Sequence, residues 1–199
     1  MAVLDRGPQS GERRGEAEAA FLAGTERLLA EGRSYADLSV ERIAAAAGRS
    51  RTAFYLYFRD KRDLLMRLTE SVVSVLYAEA ERWWSGEDGR RDLRAALTDI
   101  LSTYREHADL LRAVVEASMY DEQVGEFWHN LVGRFVTATE ARLVEEGEDP
   151  GRAAGKAFAL TWMVERSCYQ QVAREAGRDD SELIDALVEI WERSVYGPA

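Results

Sequence analysis

The run Ala44-Ala45-Ala46-Ala47-Gly48-Arg49-Ser50 requires one helix to stop and another to start within a few residues. Alanine is the strongest helix former, glycine takes up the left-handed conformation that ends a helix, and serine two residues later supplies a fresh N-cap. Upstream, Ser39 caps a short helix in which Val40, Ile43, Ala44 and Ala47 follow the i, i+3, i+4, i+7 pattern of a buried face. Downstream, Phe54 and Phe58 stand one helical turn apart, and Asp60 opens a long helix through Leu64, Leu65, Leu68, Val72, Val75 and Leu76. Two short helices joined by a turn of about three or four residues that contains glycine form a helix-turn-helix, whose second helix can enter a DNA major groove. An ordinary helical hairpin with packed aromatic rings satisfies the same pattern, and spacing alone leaves both readings open.

Net charge is −10, which taken by itself opposes a polyanionic partner. The average conceals a segregation: residues 1–67 hold twelve Arg or Lys against ten Asp or Glu, and the remainder fourteen against twenty-six. Between Gly48 and Arg62, Arg49, Arg51, Arg59, Lys61 and Arg62 face only Asp60. Such asymmetry fits one end that meets nucleic acid, and it fits equally a solvated face.

On a helical wheel Phe54 and Phe58 point to the core, leaving Arg51, Thr52, Tyr55 and Leu56 across the outer side. Arg51 suits bidentate contact with guanine, Thr52 a base edge or thymine methyl, and Leu56 apolar contact with that methyl. Tyr55 and Tyr57 are placed to donate hydroxyls to phosphates. Lys61, in the first turn of the next helix, is expected to share a phosphate with the free amides there, and Ser39 to do the same one helix earlier.

The rest of the chain is also helical in pattern. A polar arm over 1–15 carries Arg6, Arg13 and Arg14, and a first helix over about 16–31 has Phe21, Leu22, Thr25, Leu28 and Leu29 on one stripe before Gly32. After the loop SGEDGRRD, helices are expected near 91–106, 108–119, 122–146, 151–176 and 180–196. The fold expected is therefore all-α: an N-terminal three-helix helix-turn-helix head over 16–68, joined by a long helix to a larger C-terminal ligand-binding and dimerisation domain over 69–199. No run approaches the ~20 apolar residues of a membrane span, and the amino terminus lacks the apolar core of a signal peptide, so a cytoplasmic protein with no membrane partner is expected.

Aromatic residues crowd the acidic remainder: Trp83, Trp84, Tyr104, Phe127, Trp128, Phe135, Phe158, Trp162, Tyr169 and Trp191. Wide rings in an all-helical body either fill a core or line an apolar cavity between helices. The last helix carries Leu183, Ile184, Leu187, Val188, Ile190, Trp191 and Val195, more than one stripe, so one of its sides is expected against a partner subunit. Ala153, Ala154, Ala157 and Phe158 in the preceding helix would permit close approach, and a twofold dimer on the last two helices is the expectation.

Enzymatic signatures are sparse. Glu126 and His129 give one Glu-x-x-His where a di-metal bundle needs two, and neither a phosphate loop nor a Gly-x-Ser-x-Gly elbow occurs. Cys168, the single cysteine, lies in an apolar stretch and reads as a buried thiol. No catalytic residue, metal or cofactor is expected; a helical ligand carrier without operator binding is the alternative to a regulator.

LSVERIAAAAGRSRTAFYLYFRDKRDLL resembles the signature of the tetracycline-repressor (TetR) family: a capped second helix, Ile-Ala, Ala-Gly-x-Ser, Phe-Tyr-x-Tyr-Phe, then Lys before an apolar helix. The likeness covers about residues 16–68. It departs at Arg49, where the family usually has an apolar residue, and at Tyr57, where histidine is frequent. Carried onto this chain, the resemblance implies contacts with double-stranded operator DNA from Ser39, Ser50, Arg51, Thr52, Tyr55, Leu56, Tyr57 and Lys61. It also implies repression and an effector pocket whose occupancy changes the separation of two reading heads. The tail DALVEIWERSVYG and the VERS segment are similar to the ethionamide-repressor (EthR) branch, with its long apolar tunnel. That likeness implies a small apolar effector on Leu93, Ile100, Tyr104, Trp128, Phe135, Thr161, Val164 and Trp191; for each of them core packing is the other reading. Thr161 and Val164 stand where the branch offers amides.

Overall fold

The computed structural model describes residues 8–173 and 179–197, with side chains from Gly15 onward. All regular structure among them is helical, as expected. The helices are α1 (Pro8–Ala30), α2 (Val40–Ala46), α3 (Arg51–Phe54), α4 (Lys61–Ser85), α5 (Gly89–Glu106), α6 (Ala108–Ser118), α7 (Glu122–Glu145), α8 (Pro150–Ala173) and α9 (Asp180–Tyr196), with a single 3-10 turn at Tyr35–Asp37. Contacts divide the chain into two units, Met1–Leu68 and Thr69–Ala199. The backbone of α4 is continuous through that division.

α1 begins eight residues before the expected Glu16, because Pro8 presets the first helical φ at a position whose N–H needs no partner. The helix therefore includes the backbone of Arg13 and Arg14, whereas Arg6 lies outside the described residues. Its other end stops where expected: Gly32 has φ +77° and its N–H reaches the Leu29 carbonyl.

The head is built on aromatic rings. Phe21 of α1 meets Phe54 edge-on at 5.5 Å and Phe58 at 5.9 Å, and all three rings are fully buried. Burying each ring contributes roughly 1.5–3 kcal/mol. Ile43, Ala44, Leu64 and Leu65 complete this core. α1 crosses the end of α2 so closely that a Cβ at Gly24 would lie 3.0 Å from the Ala47 nitrogen. At Gly48, φ +64° and the bonds Gly48 N–H to Ala45 and Arg49 N–H to Ala44 close α2. Ser39 and Ser50 then cap as expected, accepting from the Arg42 and Ala53 N–H groups at 3.2 and 3.1 Å.

α3 is shorter than the wheel implies. After Phe54 the chain tightens, with Leu56 and Tyr57 N–H bonding three residues back, while Phe58 N–H still reaches the Phe54 carbonyl. Asp60 accepts from the Asp63 N–H at 2.8 Å, and Asp63 reaches back to the Arg59 N–H at 3.0 Å, which fixes the start of α4.

In the second unit, buried faces recur along α5, α6 and α8, and α7 packs on α6 and α8. The buried stripe of α4 runs through Val72, Val73, Leu76, Ala80 and Trp83, leaving the expected core position Val75 about half exposed. α5 and α9 run antiparallel with exposed ion pairs between them, Arg90 to Glu192 at 2.9 Å, Arg94 to Asp185 at 2.7 Å, and Arg105 to Asp180. Exposed pairs of this kind contribute ~0–1 kcal/mol each and fix register more than stability.

The head also carries an internal staple. Lys61 Nζ donates to the carbonyls of Tyr35, Ala36 and Leu38 at 3.2, 2.9 and 3.1 Å, and the Tyr35 hydroxyl donates to the Lys61 carbonyl. Replacing Lys61 with Met leaves those carbonyls without their charged donor, and we expect a loss of about 1.5–3 kcal/mol of stability. Thermal or urea unfolding checks this, and an unchanged midpoint would remove the staple.

Candidate nucleic-acid interface and effector cavity

The outer surface of the helix-turn-helix is set by what its core holds inward. With Phe54 and Phe58 buried, Arg51, Thr52, Tyr55 and Leu56 all face solvent, and Leu56 is 68% exposed without any apolar cover. The structure thus brings these four together on one face. Arg51 Nε pairs with Glu41 of α2 at 2.8 Å, and its guanidinium lies 5.7 Å from the Tyr55 ring centre. Tyr55 first, and then Glu41, pushes the Arg51 group further up, so it stays cationic. The Glu41 carboxyl is held below its ordinary value by its own backbone N–H, with Arg51 and Ser39 adding to the effect. Both side chains are exposed, so exchanging Glu41 for another anion costs Arg51 little.

Two of the expected contacts, Tyr57 and Lys61, sit differently. The Tyr57 ring is half-buried and 5.9 Å from Phe21, so it walls the core instead of standing outside like Tyr55. The Lys61 ammonium is turned onto the 3-10 turn, a geometry that no spacing rule reports because its acceptors lie more than twenty residues earlier. Ser50, like Ser39, is exposed with its oxygen accepting the cap bond, which leaves hydroxyl donation as the means of reaching a phosphate.

In the second unit, one cavity of about 710 Å³ of empty space, partly open to solvent, lies among α4, α5, α7, α8 and α9. From α5 come Leu93, Ile100 and Tyr104; from α7, Trp128 and Phe135; from α8, Thr161 and Val164; from α9, Trp191. All eight residues that the EthR likeness implied therefore line the same cavity. α4 adds Val73, Leu76, Trp83 and Trp84; the two tryptophans are among the rings that the sequence offered to a core or a cavity, whereas Val73 and Leu76 were not read as pocket residues. Their signal was present, since Val73, Leu76 and Trp83 share the buried stripe of α4. Trp83 meets Trp191 edge-on at 5.0 Å and donates from Nε1 to the Tyr196 hydroxyl at 3.1 Å, while Trp84 Nε1 donates to Thr139 at 3.3 Å.

Two polar lining residues were not read as such from the sequence, Thr139 of α7 and Glu165 of α8. Glu165 is 5% exposed, and burial pushes its carboxyl up despite the neighbouring Arg166. Burial, and next the Glu165 charge, push the Tyr104 phenol well above its ordinary value. Elsewhere on this unit, Glu126 and His129 are exposed and the His129 ring stacks near Trp162 at 5.6 Å. Among the described residues no three His, Cys, Asp or Glu side chains gather as metal ligands. No described helix is long and apolar enough to cross a membrane.

A helix-turn-helix head on one chain with an all-helical, cavity-bearing unit defines the class of helix-turn-helix transcriptional regulators. Known proteins agree. The family description "Bacterial regulatory proteins, tetR family" matches residues 21–68, and "Transcriptional regulator EthR, C-terminal domain" matches 93–197. The HTH-type transcriptional regulator EthR of Mycolicibacterium smegmatis is 31% identical, over 96% of this chain and 92% of its own. That of Mycobacterium tuberculosis H37Rv is 32% identical over 99% and 95%. A transcriptional regulator of Rhodococcus sp. Rha1 has the same fold, with TM-score 0.73 at 21% identity over 92% of this chain and 96% of that one. So has the Bacillus subtilis regulator FadR, solved in complex with stearoyl-CoA, with TM-score 0.69 at 18% identity over 91% and 99%. The chain belongs to the TetR family of transcriptional regulators and carries the C-terminal domain of the EthR type.

Cys168, next along the buried face of α8, is fully buried, and burial first, then Glu165 and Asp180, pushes its thiol from the ordinary 9.0 up to about 12. The thiolate is the reactive form, so the folded protein should resist thiol reagents at mildly alkaline pH and react fully once unfolded in urea. The unfolded chain sheds this proton at lower pH than the folded one. Stability therefore declines as pH rises from about 9 to about 12, a slope that Cys168→Ala should reduce, leaving the part due to the buried Tyr104 phenol. Rapid labelling of the native protein would contradict the burial.

Proposed function

We infer that the protein is a cytoplasmic, dimeric operator-binding repressor released by a small, largely apolar effector. The observation that carries the reading is the face of Arg51, Thr52, Tyr55 and Leu56, exposed together above rings that are fully buried. Arg51 and Thr52 read base edges, Leu56 meets a thymine methyl, and Tyr55 reaches a phosphate. Ser39 and Ser50 donate hydroxyls to the backbone, and Tyr57 and Lys61 support the face from behind, with Lys61 reaching a phosphate only on leaving its carbonyls.

The dimer is proposed on α8 and α9. Ala154, Phe158 and Ala159 of α8 and Ala186 and Ile190 of α9 are exposed, with Phe158 at 52% and Ile190 at 45%. Ala153 and Ala157 do not belong to this face; both are fully buried in a cluster with Leu143, so the close approach expected of them occurs within the subunit. An effector in the cavity touches the α4 residues Val73, Leu76 and Trp83, and α4 begins in the head at Lys61. Occupancy that selects one setting of α4 would shift the dimer toward head spacings unlike that of successive major grooves, roughly 34 Å or a multiple.

Arg51→Ala should weaken binding to the operator by about 1–3 kcal/mol and relax its sequence preference, whereas Tyr55→Phe should weaken all sequences alike. Fluorescence anisotropy with the DNA flanking its own gene, at several salt concentrations, measures both. Only non-specific affinity, in the micromolar range or weaker, would favour the ligand carrier. Phe158→Glu, or Ile190→Glu, should give a folded monomer by light scattering, and a persistent dimer would move the interface elsewhere.

A further inference from the structure

We propose that the effector carries a basic nitrogen, a protonated amine on an apolar body, and that Glu165 is the residue that selects it. The proposal rests on the cavity being the effector site. Glu165 lines that cavity, is 5% exposed, and neither of its carboxylate oxygens has a hydrogen-bond partner in the protein. Arg166 Nε lies 3.4 Å from one oxygen without the alignment of a hydrogen bond, and its side chain is half exposed, with the guanidinium 5.1 Å from the Tyr169 ring centre. A buried carboxylate without donors is costly, and the cost is recovered when a ligand brings N–H groups to it.

Nearby chemistry agrees. Thr161, one helical turn before Glu165 on the same face of α8, also has an unpartnered hydroxyl oxygen in the cavity wall. Trp128 and Trp191, both 5% exposed, offer indole N–H groups with no acceptor in the protein. The wall thus presents a single buried acid among indole donors and apolar rings. A carboxylate-ended chain would set like charges together at Glu165, and a plain hydrocarbon would leave Glu165 and Thr161 unmatched. An amine satisfies Glu165 and Thr161, and its aromatic or alkyl body packs on the rings. Burial pushes the Glu165 carboxyl up, so an arriving ammonium displaces its proton and forms the ion pair in a dry setting.

The test uses the full-length protein and three probes of one chain length, octylamine, octanol and octanoate, followed by quenching of tryptophan fluorescence and by calorimetry. Wild type should bind octylamine at least about tenfold more tightly than octanoate, the size expected of one charge-assisted bond. Glu165→Gln, which keeps shape and burial, should bring the two within about threefold, with octanol little changed. Its thermal midpoint should not fall markedly, since no hydrogen bond is lost and the Arg166 pair is half exposed; a marked fall would make Glu165 a structural group and overturn the proposal. Equal binding of all three probes by wild type overturns the role of Glu165 while leaving the cavity as the effector site. Failure of every probe to bind overturns the cavity reading and the proposal with it.

Discussion

Aromatic rings meeting edge to face govern both units of this chain. A helix of four residues, such as Arg51–Phe54, cannot hold its own shape in water, because nucleation costs more than one turn returns. Phe21 supplies the missing support at near-perpendicular angles, 89° to Phe54 and 84° to Phe58, the arrangement favoured by the ring quadrupole. That contact fixes the rotation of the turn, and the rotation decides which side chains are offered to solvent. In the second unit, Trp83 on Trp191 at 89° and Tyr77 on Phe135 at 71° play the corresponding part. Trp83, Trp191 and Phe135 of these pairs also line the cavity.

The fold was legible because its breaks are chemical. Gly32 and Gly48 take positive φ, and Ser39, Ser50 and Asp60 cap, at the positions where sequence alone put them. The length of α3 was not legible, since the Tyr-Leu-Tyr-Phe run satisfies a helical wheel whether its last bonds span four residues or three. The cavity residues came from likeness to a family, and periodicity alone could not have separated Ile100 or Val164 from ordinary core. The carbonyl contacts of Lys61 and the place of Glu165 in the cavity wall escaped for opposite reasons. The long Lys61 side chain is directed by carbonyls brought near by folding, whereas Glu165 was hidden among many acids although it stands on the stripe of Thr161 and Cys168.

Counting charges overstates what the head can offer DNA at rest. Arg51 is shared with Glu41, Arg67 bonds Glu18 at 2.7 Å, and Lys61 is occupied by carbonyls. Of these, only the pair at Arg51 lies on the outward face, and it is exposed on both sides. An arginine held loosely by an adjacent acid is presented in an extended position and still exchanges partners at little cost. The ion pair therefore orders the reading group without removing it from use.

Glu165 is the one acid in an otherwise largely apolar cavity wall. Sequences usually agree with their folds at every level, and the positions that disagree concentrate at functional sites. A glutamine would fill the same volume with a weaker penalty, and a leucine would bury no polar atom there. Keeping an acid at 5% exposure without a donor gains nothing for the folded chain itself. Thr161, Trp128 and Trp191 repeat the pattern with unpartnered polar atoms in the same wall. Of these groups, Glu165 and Thr161 have a common physical resolution in a molecule that brings N–H donors to the wall from within.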